Sequence, residues 1–403
     1  MWPPEIEDDR RMCFFWKKKY PVACTPGGSV FSRYIEHTTP LITGSTEFID
    51  HSMPDLDDLV CVGWPGMIGP RWRTSTPAWP RPRLGGWRRM MIQEVAMRVV
   101  RVPDVADLER AWRDVSGVLE PTPVVSSELG LLKLETFQPT GSFKVRGAIA
   151  ALTPGEPTLT PGEPAVTASA GNHGLAMAYA ASRLGAELTV VVSTRASAAK
   201  VAKLRSYPVR LVEHGDDYDQ AEAHALSLPG RFVSPYNDPH VIAGQGTIGC
   251  ELDTQVDGPL TVVAPIGGGG LGAGLTLWAR QRGDVRVVGV EAAVSRAVAS
   301  AVDAGKIVEV EVGETIADGL AGNLEPGCVT PEVLRHAELT SVTEAEIRAA
   351  MRWLFAEHGL VVEGAGACAV AAVLAGKVDI SGRLVMVLSG RNITMPVYRD
   401  ALA

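Results

Sequence analysis

The stretch Leu260-Thr-Val-Val-Ala-Pro-Ile-Gly-Gly-Gly-Gly-Leu-Gly-Ala-Gly274 decides how the chain folds. Its first residues form a short apolar run rich in valine, and such a run bounded by turn residues reads as a strand buried on both faces. Its glycines then open a helical pattern that continues to Arg280. A strand that passes through glycines into a helix presents unpaired backbone N–H groups at the positive end of the helix dipole, which makes a cradle for an anion. The spacing leaves open whose phosphate it takes. Gly267, Gly269 and Gly272 satisfy G-x-G-x-x-G, and Glu291 ends the next apolar run about twenty residues on, where a nicotinamide dinucleotide would find its ribose partner.

On both sides of this stretch short apolar runs alternate with Ala-rich helical patterns. The pairs are 165–168 with 174–184, 188–192 with 196–205, 260–265 with 272–280, and 285–290 with 295–304, and 384–388 reads as a last buried strand. Alternation of this kind predicts an α/β fold with parallel sheets covered by helices. Residues 360–376 are apolar but Ala/Gly-rich and carry Glu363, which fits a buried core helix better than a membrane span. The first ninety-odd residues differ: six of the nine Trp and eleven of the 28 Pro fall there without a sustained period. Residues 1–97 therefore read as a disordered extension, or as upstream sequence before a true start at Met90, Met91 or Met97.

Composition narrows the function. A net charge of −8 argues against general nucleic-acid affinity, which needs a basic face. Six cysteines without CxxC spacing imply reduced thiols and a cytoplasmic chain, with Cys250, Cys328 and Cys368 as core residues. There is no apolar h-region at the N-terminus.

Three further segments carry chemistry. Thr167-Ala-Ser-Ala-Gly-Asn-His-Gly174 is a second strand-to-helix turn with outward N–H groups. One phosphate does not need two cradles, whereas a cofactor phosphate plus a substrate carboxylate does. Glu135-Thr-Phe-Gln-Pro-Thr-Gly-Ser-Phe-Lys-Val-Arg-Gly-Ala148 places Lys144 between Phe143 and Val145 at a helix start. Desolvation there lowers a lysine's pKa and frees a neutral amine for imine formation, although a lysine snorkelling beside a helix end reads much the same. Val385-Met-Val-Leu-Ser-Gly-Arg-Asn-Ile393 ends a buried strand in Ser389, which can serve a ligand or cap a turn.

In this order, the four segments resemble the fold-type II pyridoxal-phosphate enzymes, and most closely the threonine/serine dehydratase and serine racemase branch. The resemblance covers the chain from about residue 100 to its end. Asn237-Asp-Pro-His-Val-Ile-Ala-Gly-Gln-Gly-Thr-Ile248, Thr315-Ile-Ala-Asp-Gly319 and Val362-Glu-Gly-Ala-Gly366 add to it. It implies a two-lobed catalytic domain over 98–403, with a small lobe at 164–241 and a large lobe of 98–163 plus 242–403. It implies pyridoxal 5'-phosphate as cofactor, Lys144 as the Schiff-base and catalytic lysine, and Phe143 packed near the ring. Asn172 would bond the pyridoxal hydroxyl, Gly267, Gly268, Gly269, Gly270 and Leu271 the phosphate, and Ser389 the pyridine nitrogen. Ser169, Ala170, Gly171, Asn172 and His173 would take the substrate carboxylate. The implied reaction is dehydration and deamination of L-threonine or L-serine by a homodimer or homotetramer that binds neither nucleic acid nor membrane. Dehydration of another 3-hydroxy amino acid such as hydroxyaspartate, serine racemisation, β-replacement, and an NAD-binding oxidoreductase are the alternatives.

Departures from the resemblance refine it. Serine racemases place a serine before the Gly-Asn of the substrate turn, where this chain has Ala170, so elimination is expected over racemisation. Some relatives bind a divalent cation through a glutamate at Glu291 and an aspartate six residues later, which here is Ala297, so no metal is expected. Arg391 replaces the second glycine of S-G-G-N. The chain ends soon afterwards, so no regulatory domain is expected.

Overall fold

A computed structural model describes residues 98–155 and 157–403. The expectation of a disordered 1–97 lies outside the described residues. In chain order the elements are α1 (Val105–Ser116), β1 (Val124–Ser126), β2 (Leu131–Lys133), α2 (Lys144–Leu152), β3 (Ala165–Ala168), α3 (Asn172–Leu184), β4 (Leu188–Val192), α4 (Ala198–Leu204), β5 (Arg210–Glu213) and α5 (Tyr218–Ser227). There follow β6 (Arg231–Phe232), α6 (Pro239–Gln255), β7 (Leu260–Pro265), α7 (Gly270–Arg282), β8 (Val285–Ala292), α8 (Ala297–Ala304) and α9 (Thr330–Leu334). The last elements are β9 (Glu338–Val342), α10 (Glu344–His358), α11 (Gly364–Leu374), β10 (Arg383–Val387) and α12 (Met395–Leu402).

Two sheets form. One has six strands in the order β1-β2-β10-β7-β8-β9, the other four in the order β5-β4-β3-β6. Every pairing is parallel except the β1–β2 hairpin at one edge. The central strands are apolar on both faces: all six residues of β7 and all four of β3 are buried. The expected parallel α/β architecture is present, with the antiparallel edge added to it. That hairpin has no two-residue Gly/Asn turn to announce it, and its strands are only three residues long.

Strand order fixes where a ligand can sit. In the larger sheet the chain runs outward from β7 through β8 to β9, while β10 lies on the other side of β7. In the smaller one it runs outward from β3 through β4 to β5, while β6 lies on the other side of β3. Each reversal is a topological switch point, and loops leaving the strand ends there diverge to opposite faces and open a crevice. The glycine loop follows β7, Ser389 follows β10, the Ser169 turn follows β3, and Pro235 follows β6.

Helix α6 carries the two helices that begin at the site. Asp238 caps it by accepting the N–H groups of His240 and Val241, with Pro239 in the first turn where no donor is lost. Its glycines let its neighbours approach: a Cβ on Gly244 would lie 2.7 Å from the Arg146 carbonyl of α2, and one on Gly246 2.6 Å from the Gly274 carbonyl of α7. Within residues 360–376 lies α11, buried from Gly364 to Ala372 and preceded by Glu363, and no described helix is long and apolar enough to cross a membrane.

Candidate active site

The loop after β7 is built for close approach. A Cβ on Gly268 would fall 2.3 Å from the Tyr236 ring, one on Gly270 would fall 2.8 Å from Gln245 Oε1, and Gly269 has a φ of +88° and would meet Thr330 Oγ1 at 2.6 Å. Only glycine can occupy these positions. Thr330 Oγ1 donates to the Gly268 carbonyl at 2.7 Å and fixes the turn from behind. The N–H groups of Gly267, Gly268 and Gly269 have no acceptor among the described residues, and they stand at the start of α7. Free N–H groups at a helix N-terminus fit a phosphate dianion. Gly267, Gly268, Gly269, Gly270 and Leu271 all line one cavity of about 1100 Å³.

Lys144 opens α2 and faces the same cavity. Its Nζ donates to the Pro235 carbonyl at 2.7 Å and lies 5.1 Å from the centre of the Phe143 ring. Burial disfavours the ammonium, and the nearby Glu363 only partly opposes this, so the pKa falls to about 8. A useful fraction of neutral amine is therefore available near neutral pH. Pro235 and Tyr236, which hold the amine and floor the cradle, follow a two-residue strand and carried no signal in the sequence.

The turn after β3 brings Ser169, Ala170, Gly171, Asn172 and His173 to the cavity wall. Ser169 Oγ accepts the Gly171 N–H at 3.1 Å, while the N–H groups of Ala170, Asn172 and His173 have no acceptor among the described residues. They form a second anion cradle at the start of α3. The His173 imidazole is buried, which pushes its pKa down to about 3, and its Nε2 lies 3.2 Å from the Val233 carbonyl. It is thus neutral, with Nε2–H donating and Nδ1 unprotonated.

Asn172 is held at both ends of its amide. Nδ2 donates to Glu363 Oε1 at 2.7 Å, and Oδ1 accepts from Asn392 Nδ2 at 2.7 Å. One N–H of Nδ2 remains for a ligand. Burial pushes the Glu363 carboxyl up to about 7. The sequence signal for Glu363 was a carboxylate in an otherwise apolar Gly/Ala segment, but nothing in it pointed to Asn172. Ser389 is buried at the end of β10 and lines the cavity, and its carbonyl accepts the Phe143 N–H at 3.0 Å, so the serine turn and the lysine helix are joined directly.

A charge cluster lies behind Lys144. Arg146 donates to Glu135 at 2.8 Å through both Nε and Nη2 and pairs with Glu251 at 2.7 Å, and Lys133 Nζ bonds Glu251, the Thr122 carbonyl and Gln255. All four charged side chains are almost fully buried. Glu291, considered above as a ribose or cation partner, accepts the N–H groups of Val298 at 2.9 Å and Ala299 at 3.2 Å. Its carboxylate is committed to the start of α8 rather than to the glycine loop. Arg391 is exposed and lines a neighbouring recess with Lys203 and Tyr207.

The sequence profile of the family described as "Pyridoxal-phosphate dependent enzyme" matches residues 115–390. The chain is 40% identical over 279 residues to an L-threonine ammonia-lyase of Geobacter sulfurreducens, covering 66% of this chain and 69% of that one. It is 37% identical over 311 residues to an L-threonine ammonia-lyase of Thermotoga maritima, covering 73% and 76%. Among solved structures it is similar to maize serine racemase, with a TM-score of 0.68, 28% identity, and coverage of 75% of this chain and 97% of that one.

Proposed function

Since this chain belongs to the pyridoxal-phosphate dependent enzyme family, we propose that it removes water and ammonia from L-threonine, L-serine or both, giving 2-oxobutanoate or pyruvate. One observation carries the reading: a lysine amine of lowered pKa faces a cavity flanked by two separate sets of free backbone N–H groups. Two cradles match two anions, a cofactor phosphate at Gly267 to Leu271 and a substrate carboxylate at the Ser169 to His173 turn. When bound, the cofactor supplies an aldehyde that takes an amine and a conjugated ring that accepts the electron pair left at Cα.

The chain's own groups divide the remaining work. The second cradle would orient the substrate by its carboxylate and so present its Cα proton to Lys144. Lys144, as a neutral amine, would remove the Cα proton. Ser389, which lines the cavity, would offer the ring nitrogen a hydroxyl rather than a carboxylate. A hydroxyl there would not force protonation of that nitrogen, an environment suited to losing the β-hydroxyl as water. Asn172, gripped by Glu363 and Asn392, would offer its remaining N–H to the ring hydroxyl.

Racemisation needs an acid/base on the opposite face of Cα. Ala170 offers no hydroxyl there, which supports elimination over the activity named for the maize structure. The test is a substrate panel: L-threonine, L-serine and 3-hydroxyaspartate, with oxo acid, ammonia and D-serine all measured, with and without sulfide. Oxo acid with ammonia and no D-serine is expected. Lys144→Ala should lose both the visible absorption and the turnover, and a variant that kept them would remove Lys144 from its role.

A further inference from the structure

We infer that Arg98 is a positioning residue that holds the segment carrying the hydrogen-bond partner of Lys144. The inference rests on the reading of Lys144 given above. Residues 232–237 leave the smaller sheet after the Val233 N–H bonds the Val166 carbonyl, and no strand ladder supports them beyond that point. Yet this segment supplies the Pro235 carbonyl to Lys144 Nζ and the Tyr236 ring that packs against Gly268.

Its two ends are tied by one guanidinium. Arg98 Nη1 donates to the Phe232 carbonyl at 3.2 Å, and Nη2 donates to the Asn237 carbonyl and, at 3.2 Å, to Glu325 Oε1. The guanidinium carbon also lies 5.4 Å from the centre of the Phe232 ring. Glu325 closes the arrangement, because its N–H donates to the Tyr236 hydroxyl at 2.9 Å. A planar, permanently charged fork can satisfy three acceptors in different directions, and charge-assisted bonds are the stronger kind. An ammonium on a flexible stem cannot reproduce that geometry.

The position of the Pro235 carbonyl decides where the Lys144 amine points, so loosening the segment misplaces the amine without removing it. Arg98 precedes the 115–390 span matched by the family, so this brace is supplied by the chain's own N-terminal flank. Arg101 is a suitable comparison, since it belongs to the same flank but bonds Asp107 in α1 and makes no hydrogen bond to residues 232–237.

The experiment uses the full chain as Arg98→Ala, Arg98→Lys, Arg101→Ala and Lys144→Ala. Each is stripped of cofactor and mixed with pyridoxal 5'-phosphate well below its melting temperature, and the growth of visible absorption is followed. Threonine turnover is measured on the reloaded proteins. Arg98→Ala should slow both the absorption growth and kcat about tenfold or more, with KM changed less than about threefold, because a small misplacement of a reacting group acts on the rate. Arg98→Lys should recover part of each, and Arg101→Ala should behave like the parent. Parent-like rates in Arg98→Ala, or equal losses in Arg98→Ala and Arg101→Ala, would overturn the brace. If Arg98→Ala does not fold, Arg98→Lys decides: a slowing of about threefold or more supports the brace, and parent behaviour overturns it. Absorption still growing in Lys144→Ala would overturn the lysine assignment itself, a result separate from the failure of Arg98 alone.

Discussion

Lys144 carries two opposing influences, desolvation that pulls its pKa to about 8 and the buried carboxyl of Glu363 that pulls the other way. Only the neutral amine attacks an aldehyde. The rate at which the cofactor-free protein takes up pyridoxal 5'-phosphate should therefore rise about tenfold per pH unit below that value and level off above it. Stopped-flow absorbance across pH 6 to about 9.5 checks this, and a rise continuing toward 10.5 would show an unshifted lysine. The stability of the empty protein has a matching sign. Between about 8 and 10.5 the unfolded chain holds the lysine proton and the folded chain does not, so stability increases with pH over that window. The identity of Lys144 could be read from its apolar neighbours and the motif around it. Its bond to Pro235 could not, because a carbonyl carries no side-chain signature and this one lies 91 residues away.

At the scale of elements, α2 begins at the reactive amine and is anchored by the charge two residues further along. Arg146 sits between Glu135 and Glu251 with no access to water, and removing it would leave Glu135 buried without its cation and Glu251 with Lys133 alone. Arg146→Ala should destabilise the protein by about 3–5 kcal/mol, measured as a fall in the denaturant midpoint. A loss below about 1 kcal/mol would show that Lys133 alone can hold Glu251 and that Glu135 simply protonates. The strand–helix units at β3–α3, β4–α4, β7–α7 and β8–α8 were legible because continuous apolar runs alternate with helical periods. Helix α6 was not read as a helix from its period. Its glycines and polar residues face other helices rather than water, so it is buried almost all round and lacks an amphipathic stripe.

In the whole molecule the cavity walls come from both sheets: the glycine loop and Ser389 from the larger one, and the Ser169 turn and Tyr236 from the smaller one. A cofactor gripped by both should stabilise the folded chain by mass action, about 2.7 kcal/mol at a hundredfold excess over its dissociation constant. Thermal unfolding with and without added pyridoxal 5'-phosphate reads this as a rise in Tm. An unchanged Tm alongside bound cofactor would mean that the unfolded chain takes it up equally well as a lysine imine, so that the cradles add nothing. What the sequence determined by itself was local: the buried strands, the glycine turns at their ends, the lysine at a helix start and the serine that closes β10. Each of these follows from residue type and short-range spacing, which set backbone conformation and burial without reference to distant parts of the chain. Only the tertiary structure decided that the two strand orders reverse at the same crevice, that Glu363 and Asn392 grip Asn172, and that Arg98 braces the segment against Lys144. Those contacts join residues far apart in the sequence, and their formation depends on how the sheets and helices pack rather than on any local pattern.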